Sequence, residues 1–188
     1  MDERGRDLRV IEALLFASKN PLSELQLAEY VADDIDLPNI IATLSSEYQG
    51  RGINLVEIAG GWAFRTSPDL SSVLRREAEV ERKLSRAAVE TLAIVAYHQP
   101  VTRIEIEQIR GVTVSKGTLD ILFSSGWIVP KGRRKTPGRP ATWVTTDGFL
   151  NHFGLANLDD LPNVEELRAA GLLDREALPL LTRESDEG

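Results

Sequence analysis

The 188-residue chain contains no cysteine and only two histidines, His98 and His152. Without thiols there is no disulfide framework, no thiolate zinc site and no cysteine nucleophile. No window approaches the ~20 consecutive apolar residues that a membrane-spanning helix needs. The N-terminal stretch MDERGRDLRV is charged where a signal peptide carries an apolar core. A cytoplasmic protein with no membrane partner is therefore expected. Neither histidine has a partner at metal-ligand spacing, and no two carboxylates share an apolar setting. Gly111-Val112-Thr113-Val114-Ser115-Lys116-Gly117 lacks the Gly-x-x-x-x-Gly-Lys-Ser/Thr order of a phosphate loop, so its glycines are assigned to a tight turn between helices. These absences exclude a recognisable catalytic, metal or cofactor site and point to a non-enzyme.

The charge is present but unevenly distributed. The net of −7 breaks into −5 over residues 1–84, +5 over 85–146 and −7 over 147–188. Such alternation of sign marks separable segments with different partners.

An internal repeat organises the chain. Val10-Ile11-Glu12-Ala13-Leu14-Leu15-Phe16-Ala17 aligns with Val89-Glu90-Thr91-Leu92-Ala93-Ile94-Val95-Ala96, 79 residues on, and at the same offset Pro21-Leu22-Ser23 aligns with Pro100-Val101-Thr102. Ser23-x-x-Gln26 and Thr102-x-x-Glu105 both have the capping-box order, in which a hydroxyl accepts from the fourth residue's N–H and that residue's side chain reaches back. Each copy reads as a helix, a proline-closed loop and a second helix. A third helix follows in each copy, at about 36–48 and 115–124, with apolar residues at helical spacing.

Two β-favouring runs then close each copy. Residues 53–58 and 62–66 flank Gly60-Gly61, a hairpin signal because a type I′ turn needs positive φ at both central positions. The second hairpin reads as 127–129 and 142–145 around a long loop from Pro130 to Pro140. Three helices followed by a hairpin predict two tandem winged-helix domains, mostly α with small β-hairpins, an α+β class. The expected division is a domain over 1–84, ending in a charged connector helix from Ser71 to Leu84, a second over 85–162, and an acidic tail over 163–188. A short helix from about Asp147 ends at Gly154.

Winged helices commonly read DNA, but these third helices are chemically unsuited to it. Residues 36–47 contain no basic residue, and 115–124 offer one lysine against one aspartate. Base reading needs Arg, Lys, Asn or Gln at the groove, and phosphate contacts need cations. The basic cluster lies instead in the second wing, Lys131 to Lys135 with Arg139. DNA contact is expected to be weak or indirect.

The stretch from Glu90 through Pro100-Val101-Thr102 to Ile106, with Ile109-Arg110-Gly111-Val112, resembles the signature of the segregation and condensation protein B family. So do Gly132-Arg133 with Pro137-Gly138-Arg139-Pro140, and Phe153-Gly154-Leu155 with Leu158, Leu161 and Pro162. The resemblance spans residues 8–162; Trp143 stands where tyrosine is expected and Trp127 where a smaller aliphatic is usual. It implies a homodimeric, nucleoid-associated accessory subunit that hydrolyses nothing. Its partner would be the kleisin, segregation and condensation protein A, which bridges the heads of the structural-maintenance-of-chromosomes ATPase. The competing expectation is a tandem winged-helix transcription regulator acting on DNA.

Candidate contact residues follow from the pattern. In the second domain they are Leu119, Phe123 and Trp127 as apolar anchors and Arg133, Arg134 and Arg139 as complements to an acidic partner. In the first hairpin, Ile53, Leu55, Trp62 and Phe64 share one face, and Val56, Ile58 and Ala63 the other. Only one face can pack on the domain's own helices, which makes Val56, Ile58, Trp62 and Phe64 candidates for a dimer interface.

Overall fold

The computed structural model describes residues 3–32, 34–74 and 84–163. The chain divides into two compact units: Met1–Glu81 with Gly154–Asn157, and Arg82–Phe153 with Leu158–Gly188. Both are mixtures of helix and small antiparallel sheet, the α+β class that the sequence predicts.

Unit 1 begins with α1 (Glu3–Ala17), α2 (Glu24–Ala28) and α3 (Leu37–Tyr48). Ile11 and Leu15, four residues apart, place one stripe of α1 against Leu27 of α2 and Leu37, Ile40, Ile41 and Leu44 of α3. Burial of each such side chain stabilises by about 1.5–3 kcal/mol. Ser23 and Gln26 form the capping box that starts α2. The Asp36 carboxylate accepts the Asn39 N–H at 3.2 Å, and Pro38 sits in the first turn of α3, where a missing N–H is harmless.

The hairpin follows, with β1 (Ile53–Ile58) antiparallel to β2 (Gly61–Thr66) and Leu55 opposite Phe64. Its turn is Ala59-Gly60, one residue earlier than the sequence predicts. Both central residues have positive φ, 52° and 68°, as a type I′ turn requires. The displaced glycine is explained by close approach. A Cβ on Gly61 would lie 2.9 Å from the carbonyl carbon of Leu22, whose backbone exchanges hydrogen bonds of 2.9 and 2.8 Å with Trp62. Gly61 is therefore strand, and Ala59 bears the left-handed conformation. The N–H groups of Ala59 and Gly60 donate to the Leu155 and Ala156 carbonyls at 2.9 and 3.0 Å, within unit 1.

The connector expected over 71–84 is described only as α4 (Ser71–Leu74); residues 75–83 lie outside the described residues, as does the tail from 164. Unit 2 contains α5 (Arg86–His98), β3 (Val101–Thr102), α6 (Arg103–Arg110), α7 (Lys116–Ser124), β4 (Ile128–Arg133), β5 (Ala141–Thr145) and α8 (Asp147–Phe153). Buried Ala88, Leu92 and Val95 of α5, Ile106 of α6 and Leu119 and Leu122 of α7 supply apolar side chains to its interior.

Three details depart from the sequence reading. The strand of the second wing runs on to Arg133, with an irregular step in pairing between Pro130 and Arg133, so the loop is shorter than Pro130–Pro140. Val101–Thr102 adds a third strand, giving the order β3-β5-β4 with Val101 opposite Trp143. The same interaction is reduced in unit 1 to the single bridge of Leu22 with Trp62. Finally, Gly117 lies inside α7; of the two glycines assigned to the turn, only Gly111 serves there, at φ 71° as the left-handed cap of α6.

Candidate functional site

The outward side of α7 and the adjoining wing form the most distinctive surface of unit 2. The helix is held at its start from two directions. Ser115 accepts the Thr118 N–H at 3.2 Å as N-cap. Glu107 accepts the Val114 N–H and the Arg103 guanidinium, both at 3.0 Å, pinning the preceding loop to α6. Thr118, Leu119 and Leu122 then face the interior, leaving Lys116, Asp120, Ile121 and Phe123 outward. Ile121 is 53% exposed and Phe123 50%. Phe123 meets Trp143 of β5 edge-on, with ring centroids 6.3 Å apart.

The wing cations divide into two kinds. The Arg134 Nε donates to Glu105 Oε1 at 3.0 Å and its Nη2 to the Pro100 carbonyl at 2.8 Å. Arg134 thus fastens the wing to the capping box of α6. Lys131, Arg133, Lys135 and Arg139 are exposed. None of these four makes an ion pair among the described residues, and Arg133 only donates to the Arg139 carbonyl at 3.1 Å. Arg139 itself has φ 40°, which turns the loop at Gly138-Arg139.

Three glutamates in this unit are held below their ordinary range. For Glu90 the cause is hydrogen bonding from Arg110, opposed by burial and reinforced by Arg86. For Glu105, burial acts upward but is outweighed by the Thr102 N–H, Arg134 and the Thr102 hydroxyl. For Glu107 the Val114 N–H leads, with Arg103 next. A depressed carboxylate contributes stability that is complete above its unfolded pKa and is lost as pH falls through the folded one. The urea midpoint is accordingly expected to fall on acidification below about pH 4.3, the ordinary glutamate value, and Glu105→Gln is expected to flatten that fall. An unchanged slope in that variant would remove Glu105 from the account.

In unit 1, Phe64 packs on Tyr48 with ring centroids 4.5 Å apart, and the Tyr48 hydroxyl donates to the Glu12 carboxylate. That hydrogen bond, with burial and the nearby charge of Glu12, raises the Tyr48 pKa. A model of the family described as "Segregation and condensation complex subunit ScpB" matches residues 9–164. The chain belongs to the ScpB family. It is 43% identical over 160 residues to segregation and condensation protein B of Symbiobacterium thermophilum, covering 83% of this chain and 73% of that protein. Its counterpart in Desulforamulus reducens is 41% identical over 175 residues, 89% and 94% of the two chains. The crystal structure of ScpB from Mycobacterium tuberculosis is 32% identical, covering 82% of this chain and 98% of that one at a TM-score of 0.37.

Within this ScpB-family chain the expected contact residues are not equally placed. Phe123, Arg133 and Arg139 are exposed, whereas Leu119 is buried and Trp127 is half-buried against His152, at 4.5 Å between centroids, and Phe153. Leu119 and Arg134 act as structure in this chain, and the outward apolar residue beside Phe123 is Ile121. On the first hairpin, Ile58 is only 2% exposed, Trp62 and Phe64 pack half-buried against the core, and Val56 is likewise half-buried. Sequence reasoning missed Phe16 and Leu25, each 79% exposed, and an open cavity of about 280 Å³ between α1 and α2 lined by Leu14, Ala17, Leu22 and Tyr30. The signal was present: Phe16 lies one residue off the Ile11–Leu15 stripe, some 100° around the helix. Among the described residues no helix is long and apolar enough to cross a membrane.

Proposed function

We propose that the chain is a non-catalytic accessory subunit of the bacterial structural-maintenance-of-chromosomes complex. In this reading each unit is a winged helix, and the protein works in the cytoplasm at the nucleoid. Unit 2 captures the kleisin, segregation and condensation protein A, and through it the ATPase. The protein acts as a homodimer, with the β1–β2 hairpin contributing to the contact. The observation that carries the reading is the character of α7. A helix that presents Ile121, Phe123 and Asp120 with Lys116 as its sole cation suits a protein groove better than a phosphate-lined one. The flanking wing adds cations, which speed the encounter with an acidic partner more than they tighten the complex.

The test is mutagenesis that spares the wing's anchorage. Lys131→Glu with Arg133→Glu and Lys135→Glu leaves Arg134 in place. The triple variant is expected to bind the kleisin about tenfold more weakly at low salt, mainly through slower association, with an unchanged melting temperature. A variant that binds kleisin normally but loses duplex DNA in a salt-titrated binding assay would instead favour the transcription-regulator reading.

A further inference from the structure

We propose that residues 164–188 of the same chain dock in cis on the α7 and wing surface of unit 2, as an occupant that an incoming partner has to displace. Charge complementarity supports this first. The segment carries seven Asp and Glu against three Arg, a net of −4. The wing offers Lys131, Arg133, Lys135 and Arg139, four exposed cations with no ion pair among the described residues. Apolar character is matched as well. Leu167, Leu172 and Leu173 lie between the acidic pairs Glu165-Glu166 and Asp174 with Glu176, and Val164 immediately precedes the first pair. Ile121 and Phe123 stand half exposed on α7, and Trp143, from the strand that leaves the wing, meets Phe123.

The point of attachment makes the contact intramolecular. The Tyr97 hydroxyl of α5 donates to the Pro162 carbonyl, so the segment leaves from unit 2 itself, two residues later. Twenty-five residues reach about 38 Å even as continuous helix at 1.5 Å per residue. A unit of this size has a radius of gyration of about 12 Å. A short tether of this kind gives an effective concentration of about 1 mM. A contact with a dissociation constant of about 0.1 mM in trans would then hold the surface about nine-tenths occupied, and a competitor would bind about tenfold more weakly. Nucleic acid fits the same surface less well, because Asp120 stands among the outward residues of α7.

The docking itself stands apart from the kleisin reading; only its competitive consequence rests on that reading. Because the chain has no cysteine, Ala177→Cys gives a single site for a nitroxide label in the otherwise intact protein. At low salt and low protein concentration the label is expected to broaden the amide signals of residues 116–124 and 131–143 preferentially. Raising salt to about 1 M, where the Debye length is about 3 Å, should remove the effect. So should a full-length variant with Glu165→Gln, Glu166→Gln, Asp174→Asn and Glu176→Gln. Absence of preferential broadening in the unsubstituted tail overturns the proposal. In a second measurement the neutralised variant is expected to bind the kleisin about tenfold more tightly than the parent tail. Broadening with unchanged kleisin affinity overturns the competition while leaving the docking. A kleisin that binds neither form refutes the functional reading alone.

Discussion

Replacing Leu122 by alanine is expected to destabilise unit 2 by about 3–4 kcal/mol, while Phe123→Ala, one residue on, changes stability by less than about 1 kcal/mol. Leu122 is fully buried, and removal of a buried leucine side chain loses both transfer free energy and the contacts around the cavity left behind. Phe123 is half exposed and gives up chiefly its edge contact with Trp143. Urea unfolding at constant m-value separates the two. A loss of 3 kcal/mol is a large share of the 5–15 kcal/mol that holds an ordinary domain together. The contrast also bears on function, because Phe123→Ala should reduce kleisin binding in a protein that melts normally. Equal destabilisation by the two substitutions would mean that Phe123 belongs to the interior and offers no docking surface.

Gly61→Ala is expected to destabilise unit 1 by about 3 kcal/mol, at the upper end of what overpacking usually does. The added methyl would lie 2.9–3.2 Å from three backbone atoms of Leu22, and backbone cannot rotate aside as a side chain can. Moving Leu22 away would stretch the paired hydrogen bonds with Trp62. Gly60→Ala is the informative control. No atom lies within 4 Å of its would-be Cβ, but φ is +68°, so only the left-handed penalty of about 1 kcal/mol applies. Thermal melting of both variants should rank them in that order. A Gly61→Ala protein no less stable than Gly60→Ala would show that the Leu22 strand yields without cost.

Much of the fold is legible because it is written locally. The capping boxes at Ser23 and Thr102 need only four consecutive residues, and both formed where their spacing predicts. Asp36 and Ser115 begin their helices for the same reason. What escaped depends on distant partners. Gly60-Gly61 looks like a turn by itself, and nothing nearby says that Leu22, some forty residues earlier, will need the second glycine. Val101–Thr102 is too short to announce a strand without Trp143 opposite it. At the candidate site, the basic cluster was visible as a block, but the division between Arg134 and its exposed neighbours was not. That division depends on Glu105, which reaches the wing only once α6 and β4 are in place. Leu119 faces inward and Ile121 outward, a choice the sequence leaves open because a short helix leaves its inward face undecided within about a third of a turn.

The hydrogen bonds from Ala59 and Gly60 to Leu155 and Ala156 have a consequence for biosynthesis. Unit 1 is discontinuous, and the residues that receive its turn lie 96 positions downstream of it. At 5–20 residues per second, a ribosome needs about 5–20 s to add them. The helices of the first unit can gather while the rest of the chain is still being made, but its turn waits, with two N–H groups left to water. A nascent chain halted before residue 155, or a fragment cut at residue 84, is therefore an incomplete version of unit 1. Its self-association should not be equated with that of the finished protein.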